Sequence, residues 1–275
     1  METQQIIESL SYVTWVLLGG LALGSFALTW LLRQVTDATA GFLGFSATLA
    51  AVIGLGWLLV EWGLPIPTEL AIESGAELDE PRRAAIALFS ALSLLAAIRM
   101  RGGGRALWFG TGAIVAGGAA MFLGAWGWGG GEPISISLLV QLLALSAVTG
   151  GSMAAVVLAH WYLVTPRISE RPLMLTTQLL MVALGIQLLL FAVWLGAGIP
   201  DMAPFEALTG PNMVFVWLRL VVGLVFPMLL AWMAYRTSLT RSMESATGLL
   251  YIEFALVMAS TIVAAGLLCG EGLLV

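Results

Sequence analysis

Eight long apolar segments follow one another along the chain, separated by short polar or glycine-rich connections. An apolar run of about 20 residues crosses a bilayer as a helix, because a helix satisfies its backbone groups internally. The pattern therefore predicts an all-α polytopic membrane protein with eight transmembrane helices. The third segment is short, so we expect Arg82, Arg83 and Arg99 to extend it as snorkelling ends. The predicted spans are Leu10–Leu32, Ala40–Val60, Ala84–Ile98, Ala106–Trp126, Ile134–Val164, Leu173–Ile199, Met213–Tyr235 and Ala246–Leu268.

The composition narrows the class of protein further. Apolar residues make up 60% of the 275 positions, charged residues make up 10%, and the mean hydropathy is +1.00. Soluble domains are nearer 45–50% apolar and about 25% charged. These values, with a net charge of −5, exclude a soluble globular domain, a disordered chain and a nucleic-acid-binding protein. The expected surroundings are a lipid bilayer.

The arginines predict the orientation in the membrane. The connections after spans 1, 3, 5 and 7 hold eight of them, whereas the opposite side carries only Arg82 and Arg83, in an acidic loop from residue 61 to 83. By the positive-inside rule, the side with eight arginines is cytoplasmic and both termini lie outside. The eight are Arg33, Arg99, Arg101, Arg105, Arg167, Arg171, Arg236 and Arg241.

An internal sequence repeat predicts how the spans are grouped. Residues 17–32 and 148–163 resemble each other at an offset of 131, which roughly superposes spans 2, 3 and 4 on spans 6, 7 and 8. We therefore expect two parallel four-helix bundles, at residues 1–132 and 133–275. The matched positions are Gly19 with Gly150, Gly20 with Gly151, Trp30 with Trp161 and Leu32 with Leu163.

Small and amide side chains indicate close contacts between helices. Gly20 and Gly24 form a GxxxG pattern, which lets helix backbones approach closely. The alternative interpretation is a glycine-lined groove for a flat ligand. Gln178 and Gln187 of span 6 are predicted to hydrogen-bond between helices. Span 4 is also dense in glycine, with Gly110, Gly117, Gly118 and Gly124.

Arg219 is the clearest charge within a predicted span, and a charge at that depth needs a partner or a purpose. Its candidate counter-ions are Glu61, Asp201 and Glu206, and Gln141 lies at a similar depth. One interpretation is a structural ion pair. The other is an outer-side site for an anionic or carbonyl-bearing ligand, such as a quinone head group. The predicted ligand-site residues are Arg219, Gln141 and Glu61.

Glu253 and His160 are the candidates for proton transfer. Glu253 lies in span 8 without a cation in its own helix, although Arg236, Arg241 or His160 could approach it. It is either a proton-relay group or a packed acid that is protonated or snorkels to the interface. His160 precedes Trp161 near the end of span 5, so an interfacial histidine is the alternative to a proton-transfer role.

The residue inventory excludes several cofactors from this chain. Every cation is an arginine, so no lysine can form a retinal Schiff base. With His160 and Cys269 the single histidine and cysteine, neither a bis-histidine haem nor an iron–sulfur cluster can form. No set of residues has the spacing of a metal site.

Span 1 carries a resemblance to a known family. Its sequence, YVTWVLLGGLALGSFALTWLLR, has Gly19, Gly20, Gly24 and Phe26 where the first helix of the NrfD/polysulfide-reductase membrane-subunit family has a GGLAAG-like core and a small-plus-phenylalanine step. The resemblance implies eight spans, two four-helix bundles and both termini outside, in a bacterial or archaeal cytoplasmic membrane. It also implies a haem-free subunit that passes electrons between membrane quinone and an iron–sulfur partner.

Three functions follow as hypotheses. The first is a quinone-interacting subunit of a redox complex rather than a stand-alone catalyst, and it predicts that Arg219→Leu abolishes quinol-linked activity without preventing assembly. The second is a small-solute or ion transporter. Transporter sites often lie at broken helices, and only the glycine-dense fourth span looks broken. The third is a non-catalytic structural subunit of a larger complex.

Overall fold

The computed structural model describes residues 3–165, 168–198 and 203–275, with side chains from residue 8 onward. Within these residues, eight helices are long and apolar enough to cross a membrane, which confirms the predicted number of spans. The helices are α1 Thr3–Val35, α2 Ala40–Trp62, α3 Asp79–Arg101, α4 Leu107–Trp128, α5 Ile134–Val164, α6 Arg171–Ala197, α7 Met213–Leu220, α8 Phe226–Leu239 and α9 Met243–Glu271.

The seventh span is interrupted, whereas the fourth is not. A π-helical turn, Val221–Val225, joins α7 to α8, and the three pieces together form one span, Met213–Leu239. The glycine-dense α4 runs without a break. The prediction that the fourth span is the broken one is therefore wrong, because glycine here serves close packing. Gly117, for example, faces Leu23 and Phe89.

The third span is longer than predicted. Because α2 extends to Trp62 and α3 begins at Asp79, the connection shrinks from residues 61–83 to residues 63–78. Glu61 and Arg82 thus belong to helices, and both are buried, with 1% and 2% of their surface exposed. The prediction that Arg82 snorkels to solvent is wrong, since an ion pair inside the protein satisfies its charge.

Hydrogen bonds attach the connection between α2 and α3 to α1 and to the ends of α4 and α9. The Glu8 carboxylate of α1 accepts hydrogen bonds from the backbone and hydroxyl of Thr68, and the Tyr12 hydroxyl donates to the carbonyl of Pro65 at 2.8 Å. Two backbone N–H groups of this loop donate to the carbonyls at the ends of α4 and α9. The acidic loop is therefore a fixed cap rather than a free segment.

The helices contact one another in two closed rings. In the first ring α1 packs on α2, α2 on α3, α3 on α4, and α4 on α1. In the second ring α5 packs on α6, α6 on α8, α8 on α9, and α9 on α5. The rings meet mainly along α1 and α5, with additional contacts of α9 on α1 and of α4 on α5.

Glycines determine how closely α1 and α5 approach. A Cβ atom at Gly24 would overlap the Ser146 carbonyl and lie 3.0 Å from the Cα atom of Gly150. A Cβ atom at Gly150 would lie 2.6 Å from the Gly20 carbonyl oxygen and would overlap the backbone of Ser25. Backbone atoms cannot move aside as a flexible side chain can, so this crossing admits no side chain. The predicted role of Gly20 and Gly24 in close helix contact is confirmed.

We expect Gly150→Ala to destabilise the protein by about 1–3 kcal/mol, the usual cost of overpacking, because the methyl group would force α1 and α5 apart. Gly248→Ala is the matched control, since nothing lies within 4 Å of a Cβ atom there. Thermal unfolding of both variants in detergent measures the difference. Equal stabilities would show that the α1–α5 crossing does not limit the fold.

Candidate functional site

The three predicted ligand-site residues do not meet. Glu61 lies in the first helix ring, and Arg219 and Gln141 lie in the second, where each has different partners. The polar groups of the described residues form separate clusters instead of one outer-side pocket.

Glu61 belongs to a buried ion-pair cluster at the end of α2. Its Oε2 atom accepts hydrogen bonds from Nε of Arg82 at 2.8 Å and from Nε1 of Trp15 at 2.6 Å. The other arm of Arg82 reaches Asp79, one helical turn earlier, at 2.7 Å. The Trp128 ring lies 5.2 Å from Cζ of the same arginine, within the range of a cation–π contact. Glu61 is thus the counter-ion of Arg82 and not of Arg219.

Arg219 is buried and is held by uncharged groups. Its Nη2 atom donates to Oε1 of Gln187 at 2.5 Å, and its Nη1 atom donates to the Ser260 hydroxyl. No ion pair of Arg219 occurs among residues 8–165, 168–198 and 203–275. Of the other predicted counter-ions, Glu206 accepts from the backbone of Ala203, and Asp201 lies outside the described residues.

The cluster around Arg219 keeps unused hydrogen-bond donors. Nε of Arg219 and Nε2 of Gln187 are buried without a hydrogen-bond partner in the described part of the chain. The π-helical turn begins two residues after Arg219, and a Cβ atom at Gly223 within it would overlap the Ser260 side chain. Single π-turns occur frequently at functional sites. The predicted interhelical role of Gln187 is confirmed by its bond to α7.

Gln141 holds the segment that follows α9. Its Nε2 atom donates to the Val275 carbonyl at 2.9 Å, and its Oε1 atom accepts from Nε1 of Trp194 at 3.3 Å. The side chains of Leu273, Leu274 and Val275 are buried beside α5 and α6. The amide therefore serves an internal contact, and among the described residues it makes no hydrogen bond to Arg219.

Glu253 is fully buried between α9 and α5. Its Oε1 atom accepts a hydrogen bond from the Ser152 hydroxyl at 2.8 Å, and its Oε2 atom has no partner among the described residues. One turn away on α5, Thr149 and Thr261 share a hydroxyl–hydroxyl bond of 2.7 Å. A carboxyl group that accepts one hydrogen bond and has a second oxygen without a partner can bind or release a proton at that second oxygen.

The cations that could have approached Glu253 are occupied elsewhere. Arg241 pairs with Glu170 at 3.3 Å, and Cζ of Arg236 lies 5.9 Å from the ring of Trp232. His160 is exposed, with Nδ1 3.3 Å from the Tyr251 hydroxyl. The two predicted proton-relay residues, Glu253 and His160, are therefore not joined by a hydrogen bond.

A laterally open cleft lies between α1 and α6, and we call it the α1/α6 cleft; the sequence indicated a glycine-lined groove as an alternative but not its place. It has an apolar section of about 370 Å³ and an adjoining section of about 750 Å³ at the connection from α5 to α6. Leu31 and Leu179 line both sections. Gly24, Gly118 and Gly151 line the apolar section, as expected for the glycine-lined groove that was the alternative to close packing.

Neither a group of metal-ligating side chains nor a similarity to a known protein identifies the ligand of these clusters. Among the described residues, no three His, Cys, Asp or Glu side chains form a group that could hold a metal ion. Comparison of the chain with protein-family models, with curated proteins and with solved structures gives no match.

We expect Glu61→Gln to destabilise the protein by about 3 kcal/mol, because it leaves a buried guanidinium with only the partly exposed Asp79 as counter-ion. Glu80→Gln is the control: the Glu80 side chain is 87% exposed, and its pair with Arg83 should contribute no more than about 1 kcal/mol. Denaturant unfolding in detergent compares them. A similar loss in both variants would contradict a special role for the buried pair.

Proposed function

We propose that this chain is the membrane subunit of a respiratory or redox complex that interacts with quinone or quinol and exchanges electrons with an iron–sulfur or other redox partner subunit. It is not a stand-alone catalyst in this proposal. The proposal starts from the resemblance of span 1 to the NrfD/polysulfide-reductase membrane-subunit family, and quinone is the cofactor it requires.

The position of the span-1 glycines carries the proposal. Gly20 and Gly24, which carry part of the resemblance, lie at the crossing of α1 and α5, where the two helix rings approach most closely. A motif at that position determines how closely the two helix rings pack, because a side chain there would separate them.

The proposal includes a parallel tandem of two four-helix bundles, at residues 1–132 and 133–275. The two rings of helix contacts support it. A matching polar pair supports it as well: Glu61 of α2 binds Arg82 of α3, and Gln187 of α6 binds Arg219 of α7. Corresponding spans of the two halves thus hold an arginine against an acceptor.

The proposed setting is a bacterial or archaeal cytoplasmic membrane with both termini outside. The eight arginines in the connections after spans 1, 3, 5 and 7 support this orientation. The redox partner would dock outside the bilayer, and the apolar outer faces of the helices would contact lipid.

Among the five candidate site residues, Glu61, Arg219 and Glu253 each have a buried polar atom without a hydrogen-bond partner in the described part of the chain, and the last two lie in the second half of the chain. In the proposal Arg219 supplies a fixed positive charge inside the membrane, and Glu253 exchanges a proton. Glu61 and Gln141 support the fold through Arg82 and Val275, and His160 lies at the membrane surface.

Purification from the native membrane tests the proposal directly. We expect the tagged protein, extracted in mild detergent, to carry iron–sulfur or other redox subunits, identified by mass spectrometry. Solvent extraction should recover bound quinone from the same sample. A lone protein without quinone would contradict the proposal.

We expect Arg219→Leu to reduce quinol-linked turnover at least tenfold, because it removes the charge that the proposal requires. The complex should still assemble, because an apolar side chain suits the protein interior. Arg236→Leu is the control and should retain activity, because Arg236 is an exposed arginine beside Trp232. Turnover and subunit content are measured on the same purified complexes. Normal turnover of Arg219→Leu would exclude a functional role for this charge.

A small-solute or ion transporter is the second candidate, and one observation favours it. A π-helical turn lies in span 7 beside the buried Arg219, and single π-turns occur frequently at functional sites. Proteoliposomes that accumulate a solute or protons would favour this function. Absence of flux together with bound quinone would favour the redox function.

A further inference from the structure

The two seams between the helix rings are closed differently. At the seam between α2 and α5, Trp161 fills the space: its ring lies 6.3 Å from that of Phe42, and a Cβ atom at Gly41 would lie 3.0 Å from it. At the seam between α1 and α6 the sequence counterpart is Trp30. It packs instead on α4, where a Cβ atom at Gly110 would overlap its ring. Trp30 does not line the α1/α6 cleft.

The apolar section of the cleft is shaped by glycines that no neighbour fills. Nothing lies within 4 Å of a Cβ atom at Gly118, and the nearest atom at Gly151 is Cδ1 of Leu180 at 3.9 Å. Leu143, on the rim, is 40% exposed, so the cleft opens sideways from the protein. A groove of about 370 Å³ that opens toward the bilayer suits a single flexible apolar chain.

The other section of the cleft is mostly apolar, but it includes polar side chains where α5 connects to α6. These are Ser169, Glu170, Arg171 and Gln178. Arg171 and Gln178 are exposed, and Gln178 donates a hydrogen bond to the Tyr235 hydroxyl at 3.2 Å. The cleft therefore offers hydrogen-bond donors at one end and an apolar channel at the other.

We propose that the α1/α6 cleft binds an isoprenoid quinone, with the head group against Arg171 and Gln178 and the chain along Gly118 and Gly151. This inference rests on the proposed function and adds the location of the ligand. It differs from a site at Arg219, whose guanidinium is enclosed by Gln187 and Ser260.

The lining of this section favours a quinone over a phospholipid. It offers a phosphate a single arginine, Arg171, because Arg241 is paired with Glu170. A quinone head group is uncharged and accepts hydrogen bonds through its carbonyl oxygens, which matches the donors of Arg171 and Gln178. A quinone also has one chain, whereas a phospholipid would bring two into the apolar section.

Titration of the purified full chain with decylubiquinone, followed by calorimetry, tests the inference. Gly118→Leu and Gly151→Leu fill the cleft from positions where a Cβ atom has room, so the fold should be kept. Gly266→Leu is the matched control, because its Cβ atom also has nothing within 4 Å and Gly266 does not line the cleft. Thermal unfolding confirms that the three variants are folded.

We expect the wild type and Gly266→Leu to bind decylubiquinone alike, and both cleft variants to bind it at least tenfold more weakly. Gln178→Leu should weaken binding as well, since it removes a donor to the head group. Wild-type affinity in the cleft variants would overturn the inference while leaving the proposed function intact.

Two further outcomes would also overturn the inference. Absence of binding to the wild type would contradict the proposed function together with it. Displacement of decylubiquinone by an equal concentration of dioleoylphosphatidylglycerol would make the cleft a lipid site.

Discussion

The backbone contact between α1 and α5 is the constraint on which the rest of this structure depends. In a bilayer the hydrophobic effect contributes little to the association of helices, so close packing and interhelical hydrogen bonds must hold them together. Gly24 and Gly150 allow the two helices to touch through backbone atoms. Each helix also belongs to its own ring, so this crossing positions both rings relative to each other.

Buried polar pairs then join the helices within each ring. In the first ring the pair is ionic, Glu61 with Arg82, so the charges compensate each other. In the second ring an amide, Gln187, replaces the carboxylate and leaves the charge of Arg219 without a counter-ion among the described residues. In the function that we propose, this difference is the reason for assigning the first cluster to the fold and the second to the site.

The open seam between α1 and α6 accompanies a similar departure from symmetry. Trp161 closes one seam by packing on α2, whereas Trp30 packs on α4 and does not line the α1/α6 cleft. A helix protein in lipid can retain such a cleft because apolar chains from the membrane can fill it.

The sequence by itself determined the class of the protein and its helices. Apolar runs as long as α5, predicted and found at Ile134–Val164, admit no other structure in a bilayer, since every backbone group must be paired. The glycine contacts of α1 were also predictable, because GxxxG spacing places glycines on one helix face. The interhelical hydrogen bond of Gln187 was predictable because an amide side chain within an apolar span needs a hydrogen-bond partner on a neighbouring helix.

Only the tertiary structure decided which polar residues meet. Depth within a span made Glu61 a plausible partner for Arg219, but depth does not tell which helices are neighbours, and α2 packs on α3 rather than on α7. The burial of Arg82 depends on where α3 begins, five residues before the apolar run. The α1/α6 cleft is lined by residues of α1, α4, α5 and α6, so it exists only once these four helices have packed together, and no single span predicts it.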